Sequence, residues 1–170
     1  MPDPTTLDDL LDIHAICQLK HRYLRCVDQK RWDELADCFT VDAEAWYGGG
    51  AKELVGRDAI LAFLVDAMGS TSMLSSHRCG APEIDLVAPG EATGIWALED
   101  VVIHQELDVT IHGACYYEDR YVQHDGRWLI SSTGYKRTYE EIWPRSSIAG
   151  LQITADLWKT NGRSSLYRDL

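Results

Sequence analysis

The chain has no apolar run approaching the ~20 residues that cross a bilayer. Its opening, MPDPTTLDDLLD, is acidic where a secretory signal needs a positive start and an apolar stretch. The five cysteines (Cys17, Cys26, Cys38, Cys79, Cys115) are odd in number and include no C-x-x-C pair. That argues against a disulfide framework, and without closely spaced Cys/His ligands a zinc site is not expected. Positive charge is scarce: 16 Lys and Arg against 27 Asp and Glu leave a formal charge of −11. Such a surplus repels phosphate backbones and anionic lipid, so neither nucleic acid nor a membrane is an expected partner. It does not identify a substrate, because a local pocket can oppose the net field. Internal repeats, low-complexity tracts and linkers are missing too. Gly48-Gly49-Gly50 lacks both the Lys-Ser/Thr of a P-loop and the following helix of a dinucleotide fingerprint. These absences predict one cytoplasmic domain with free thiols.

The 170 residues that remain to be explained suffice for a core without staples. Residues 7–27 read as a helix capped by Thr6 or Asp8, with Leu10, Leu11, His14, Cys17, Leu24 and Val27 near helical spacing. Cys17 and Cys26, among apolar neighbours, read as core. A short helix fits 32–39, and an extended stretch runs to Tyr47 before the three glycines break it. Ile60, Leu61, Leu64 and Val65 form one apolar stripe, which predicts a helix over 57–68 ending at Gly69. Beyond it the residue types change to Val, Ile, Thr, Trp and Tyr, and strands are expected over 73–86, 91–107, 109–124 and 127–139. Asp125-Gly126 marks a hairpin. Helices followed by a run of antiparallel strands indicate an α+β class. A curved sheet wrapped on one helix leaves a pocket at its open end. The segment 144–170 stands apart from the domain at 1–143. Ile148, Leu151, Ile153, Leu157 and Trp158 make it apolar enough to dock, as a lid or as a subunit contact.

Several side chains can carry acid–base chemistry, each with a plainer use. Tyr23 acts or packs; Asp28 acts or ends its helix. His77, at the start of a strand, is a general base or a histidine hydrogen-bonded in place. Trp96, Leu98, Asp100 and Val102 share one strand face. Asp100 is then a carboxylate inside the pocket, unless a bulge turns it to water. Tyr117, Asp119 and Tyr121 share a face opposite Tyr116, Glu118 and Arg120, and cross-strand ion pairs account for these charges. Trp46, Tyr47, Trp96 and Tyr117 are the expected pocket lining, Trp46 and Tyr47 being equally able to fill a core.

Order and spacing say more than any single residue. Ile16 through Tyr23, then Val27-Asp28, then Trp32-Asp33-Glu34-Leu35 resemble the opening of the SnoaL-like, or nuclear transport factor 2-like, superfamily. Leu54 through Ile60, Ser76-His77, and Tyr121 with Asp125 through Ile130 extend the resemblance over about residues 8–140. It implies a cone-shaped, curved antiparallel sheet around N-terminal helices. Within the superfamily the chain is most similar to the bile-acid 7α-dehydratases, scytalone dehydratase and hexachlorocyclohexane dehydrochlorinase. In the bile-acid enzymes the site is a Tyr, an Asp five residues later, a His in the first long strand and an Asp in the next. Tyr23, Asp28, His77 and Asp100 match that pattern. Scytalone dehydratase has a second His where this chain has Asp100, which points away from scytalone itself.

The resemblance implies a cofactor-independent lyase acting on a small hydrophobic cyclic or steroid-like substrate. His77 would abstract a proton near a carbonyl, Asp28 would orient it, and Tyr23 would hold the enolate oxygen. Imidazolium His77 or a protonated Asp100 would protonate the leaving hydroxyl. No metal or organic cofactor is needed for this. An isomerase, a dehydrohalogenase, a non-catalytic binding domain and a dioxygenase-type assembly subunit stay open, since the fold hosts them all. Apolar side chains on more than one sheet face, such as Trp96, Tyr116 and Val101, predict a homodimer or homotrimer.

Overall fold

Residues 6–167 are described by a computed structural model. The ends of the acidic opening and of the tail, 1–5 and 168–170, lie outside the described residues. Helix α1 spans Leu7–Asp28. Thr6 caps it in a reciprocal box with Asp9, so two of its free backbone donors are satisfied locally. Helix α2 is a single short turn, Trp32–Ala36, and ends three residues sooner than the sequence suggests. Strand β1 follows at once, Phe39–Tyr47. Gly48, Gly49 and Gly50 then take positive φ values in a tight turn that returns the chain as β2, Lys52–Val55. Helix α3 is Arg57–Met68, as its apolar stripe predicts. Four long strands complete the fold: β3 Met73–Ala88, β4 Glu91–His104, β5 Val109–His124 and β6 Arg127–Pro144.

The strands form one curved, unclosed sheet in the order β2-β1-β6-β5-β4-β3. β3 to β6 are antiparallel, while β1 joins β6 in parallel. The expected α+β class is therefore the observed one. Burial alternates along β4 and β5, so Ala92, Trp96, Leu98 and Asp100 share the concave face with Cys115, Tyr117, Asp119 and Tyr121. Strand β6 breaks this rule twice. Its register with β5 skips Ser131 and then Thr138. Each extra residue bends the strand and reverses which parity faces inward. Trp128 and Ile130 are buried before the first bulge; Thr133, Tyr135 and Arg137 follow on the same concave side after it, opposite Asp119, Tyr117 and Cys115.

Helix α1 fills the concavity. Ile16, Leu19, Tyr23, Leu24, Cys26 and Val27 pack on the inner sheet face. The same helix also buries a charge. Lys20 Nζ lies 2.7 Å from Asp119 Oδ2, both side chains fully enclosed, and 3.6 Å from the Tyr117 ring centroid. The ammonium sits off the hydrogen-bond direction, so the contact is an ion pair rather than an aligned bond. Asp119 also accepts from Tyr121 Oη and Thr133 Oγ1, each at 2.6 Å. Its partner thus comes from the helix, not from the cross-strand neighbour expected from sequence. Removing one member of such a pair costs about 3–5 kcal/mol, because the other charge stays buried.

The tail docks through polar anchors rather than its aliphatic residues. Asp156 is buried, accepts from Gln105 Nε2 at 3.2 Å and caps the N–H groups of Trp158 and Lys159. Trp158 faces the Lys30 ammonium at 5.5 Å. Ile148, Leu151, Ile153 and Leu157 stay exposed. On the convex face Ile95, Tyr116 and Tyr139 are exposed, whereas Trp96 points inward. No helix among the described residues is long and apolar enough to cross a membrane.

Trp46 lies over Gly134 across the β1–β6 pair, where a Cβ would meet its ring at 2.1 Å. Alanine normally suits a strand better than glycine. Gly134→Ala should instead destabilise by about 1–3 kcal/mol, the usual cost of overpacking. The loss should vanish in a Trp46→Ala background. Denaturant melts of both singles and the double variant check this, and additive effects would contradict it.

Candidate active site

Asp28 is the last residue of α1. A carboxylate there faces the negative end of the helix dipole, an unfavourable place. Strand β3 compensates with three donors. Ser75 Oγ reaches Asp28 Oδ1 at 2.7 Å, the His77 backbone N–H reaches Oδ2 at 2.9 Å, and His77 Nδ1 lies 2.6 Å from Oδ1. Burial alone would raise the Asp28 carboxyl. The His77 ring, its charge when protonated, its backbone N–H and the Ser75 hydroxyl outweigh burial and hold the group below its ordinary range. An ionised Asp28 can only accept, so the proton between them belongs on His77 Nδ1. In the neutral ring the lone pair is then on Nε2, which has no hydrogen-bond partner among the described residues.

His77 forms part of the wall of a cavity of about 140 Å³, together with Tyr23, Tyr47, Tyr117, Tyr135 and Phe63. Its opposite side faces an open groove between α1 and β3 that also holds Asp28, Arg25 and Arg78. The phenols are packed on one another. Tyr23 and Tyr47 hydroxyls are 3.2 Å apart. Tyr47 stacks on Phe63 at 5.5 Å, and Tyr117 meets Tyr135 at 5.0 Å. Burial is the main reason that the Tyr23, Tyr47 and Tyr117 hydroxyls are pushed well above the ordinary phenol range, with neighbouring phenols adding to it. Tyr135 is raised by burial as well. At neutral pH all four remain protonated, so they serve as donors rather than bases.

The structure thus gathers Tyr23, Asp28, His77, Tyr47 and Tyr117 at one place. Three other expected residues stand elsewhere. Asp100 is directly opposite His77 in the β3–β4 register, yet it is not part of the cavity wall. Its two oxygens are taken by the fork of Arg137, with Nη2 to Oδ2 at 3.0 Å and Nη1 to Oδ1. Neither is left to pass a proton to a guest. Trp46 is on the outer face over Gly134, because its neighbours Ala45 and Tyr47 take the inward positions of β1. Trp96 is fully buried, with Nε1 donating to Tyr121 Oη at 2.9 Å, and fills core.

Four contributors were not anticipated. Tyr135 and Arg137 follow the Ser131 bulge, and plain alternation from Trp128 and Ile130 would send both outward. Phe63 belongs to the apolar face of α3, a pattern that announces packing and nothing more. Ser75 has a signal in hindsight: it sits two residues before His77 on the same strand face. The thiols stay out of the chemistry. Burial pushes Cys38 up to about 12 and Cys115 up to about 11. Among the described residues no group of three or more His, Cys, Asp or Glu is placed to hold a metal ion.

The sequence profile of the SnoaL-like domain matches residues 8–134. Solved structures share the fold. A scytalone dehydratase-like protein from Novosphingobium aromaticivorans DSM 12444 superposes with a TM-score of 0.73 at 22% identity, over 92% of this chain and 97% of that one. The hexachlorocyclohexane dehydrochlorinase LinA-type3 from Novosphingobium barchaimii LL02 gives 0.74 at 22%, over 86% and 97%. ActVI-ORFA from Streptomyces coelicolor gives 0.64 at 17%, over 74% and 96%. At these identities the likeness is one of fold.

The lowered Asp28 carboxyl makes stability depend on pH. Its contribution is fully present above the unfolded value and is lost as pH falls through the lower folded value. Asp28→Asn should therefore be less stable than the parent at pH 7, with the gap closing in acid. Denaturant titrations at pH 7 and at about pH 3, below the ordinary carboxylate value, check this; a gap that is the same at both contradicts it.

Proposed function

We propose that this chain, which belongs to the SnoaL-like domain family, is a cofactor-independent lyase of the dehydratase kind. The observation that carries the reading is the histidine at the cavity wall, fixed at Nδ1 by Asp28 and free at Nε2. A pocket that only binds a guest has no need for an imidazole fixed in this way.

The chemistry follows from the atoms present. Nε2 of His77 takes a proton from the carbon next to a carbonyl, and Asp28 stabilises the imidazolium that forms. The C–H electron pair moves into an enolate. We assign its oxygen to Tyr23 and Tyr47, whose hydroxyls lie 3.2 Å apart, close enough to converge on one atom. Collapse of the enolate expels a hydroxyl from the β-carbon. The imidazolium returns its proton to that hydroxyl, and the products are an enone and water. One base suffices for both transfers, so Asp100 is not required as an acid. We assign it to positioning instead: it holds Arg137, whose guanidinium lies 5.2 Å from the Tyr135 ring at the cavity wall.

The test is a panel of β-hydroxy ketones of one to four rings, followed by enone absorbance. His77→Ala should lose about 10²–10⁴ in kcat/KM on whichever ketone the parent turns over. Tyr23→Phe should lose about 10²–10³. Asp28→Asn should fall with His77→Ala. Full turnover in both His77→Ala and Asp28→Asn would remove the dyad from the mechanism. Migration of a double bond in place of water loss would make the enzyme an isomerase using the same enolate.

A further inference from the structure

The cavity is small, and its size restricts what it can take. A void of about 150 Å³ holds a benzene ring, whereas sites for drug-sized ligands run to about 300–1,000 Å³. Here the volume beside His77 is about 140 Å³, in a pocket that is partly open. Its walls are flat rings, Tyr47 on Phe63 with 14° between planes and Tyr117 beside Tyr135, which suit a planar guest. Among the described residues no lysine or arginine lines it, so the wall offers no permanent positive charge to an anionic guest. We propose that the cavity selects a neutral compound with a single ring, and that Phe63 and Met68 on α3 set this limit. The proposal rests on the proton-abstraction reading for what happens to that ring, and narrows its substrate class.

The two residues are singled out by where they stand. Tyr23, Tyr47, Tyr117 and Tyr135 come from α1 and from paired strands of the core sheet, where movement would disturb the fold. Phe63 and Met68 belong to α3, are only partly buried, and pack on the core from outside. Met68 is held in place from behind, since the Lys30 ammonium donates to its carbonyl at 2.6 Å and to that of Met73 at 3.0 Å. Phe63 has no such tie. Its ring is about the size of the extra ring that a bicyclic guest would bring. Two fused rings therefore fit only once Phe63 is cut back.

Binding of phenol, 2-naphthol and estradiol by calorimetry or ligand-observed NMR tests this, in the parent and in His77→Ala. Apolar transfer alone ranks the larger compounds as tighter binders. The proposal predicts the reverse: saturable binding of phenol, with 2-naphthol weaker by about tenfold or more and estradiol weaker still, in the range of a pocket that rejects added bulk. Phe63→Ala, or the milder Phe63→Leu should alanine loosen α3, should raise 2-naphthol affinity about tenfold relative to phenol. Absence of saturable phenol binding, equal or tighter binding of the larger compounds, or a rank unchanged by both Phe63 variants would overturn it. His77→Ala keeps the size rank in this account. If the rank holds while the parent eliminates water from no β-hydroxy ketone, it is the lyase reading that fails, and the size rule stands.

Discussion

One carboxylate joins the two halves of this molecule. Asp28 ends the helix that fills the cone, and it takes every donor that the start of the edge strand β3 presents to it: the Ser75 hydroxyl, the His77 amide and the His77 ring. β3 has a sheet neighbour on one side only, and on the helix side its beginning is held by this contact and by the Lys30 ammonium on the Met73 carbonyl. The same hydrogen bonds that fasten the strand decide which ring nitrogen carries the proton. In the proposed reaction, stability and chemistry therefore share one set of atoms. The imidazole proposed as the base is already oriented by the fold, with no ligand needed to assemble it.

Behind the site a second buried charge does a different task. Lys20 and Asp119 lie under the phenolic wall and bring together α1, β5 and, through Thr133, β6. Burial lowers the Lys20 ammonium, and Asp119 opposes that shift. The ammonium rests against the face of Tyr117, so that ring is fixed from behind while its other neighbours, Tyr135 and Tyr23, complete the wall. Fixed donors need no reorganisation when charge develops, which is the condition under which they help a reaction most.

Much of the fold was legible because its local signals agree. The stripe of α3, the Asp125-Gly126 turn and the alternation through Trp96, Leu98 and Asp100 each point to the element that forms. Strand β2 left no such trace: four residues at the sheet edge, Lys52–Val55, carry little apolar pattern. In the site, Tyr23, Asp28 and His77 were found by spacing and resemblance, which put them in order but not in contact. Trp46 was misplaced although the rule was at hand, because adjacent residues of one strand cannot both face the pocket, and Ala43 and Ala45 share the parity of Tyr47. Tyr135 and Arg137 were hidden for a deeper reason. A bulge costs one residue and has no composition of its own, yet it inverts every side chain that follows. Asp100 was read as an acid because its partner lay beyond that bulge.

The central claim is the state of one imidazole. Nitrogen-15 NMR of the histidine-labelled protein near pH 7, with Asp28→Asn as reference, reads it directly. The account predicts that the neutral ring of His77 carries its proton on Nδ1 and leaves Nε2 bare, and that adding phenol shifts the Nε2 signal most. A neutral ring protonated on Nε2 instead, or an Nε2 signal that ignores a cavity ligand, would contradict it.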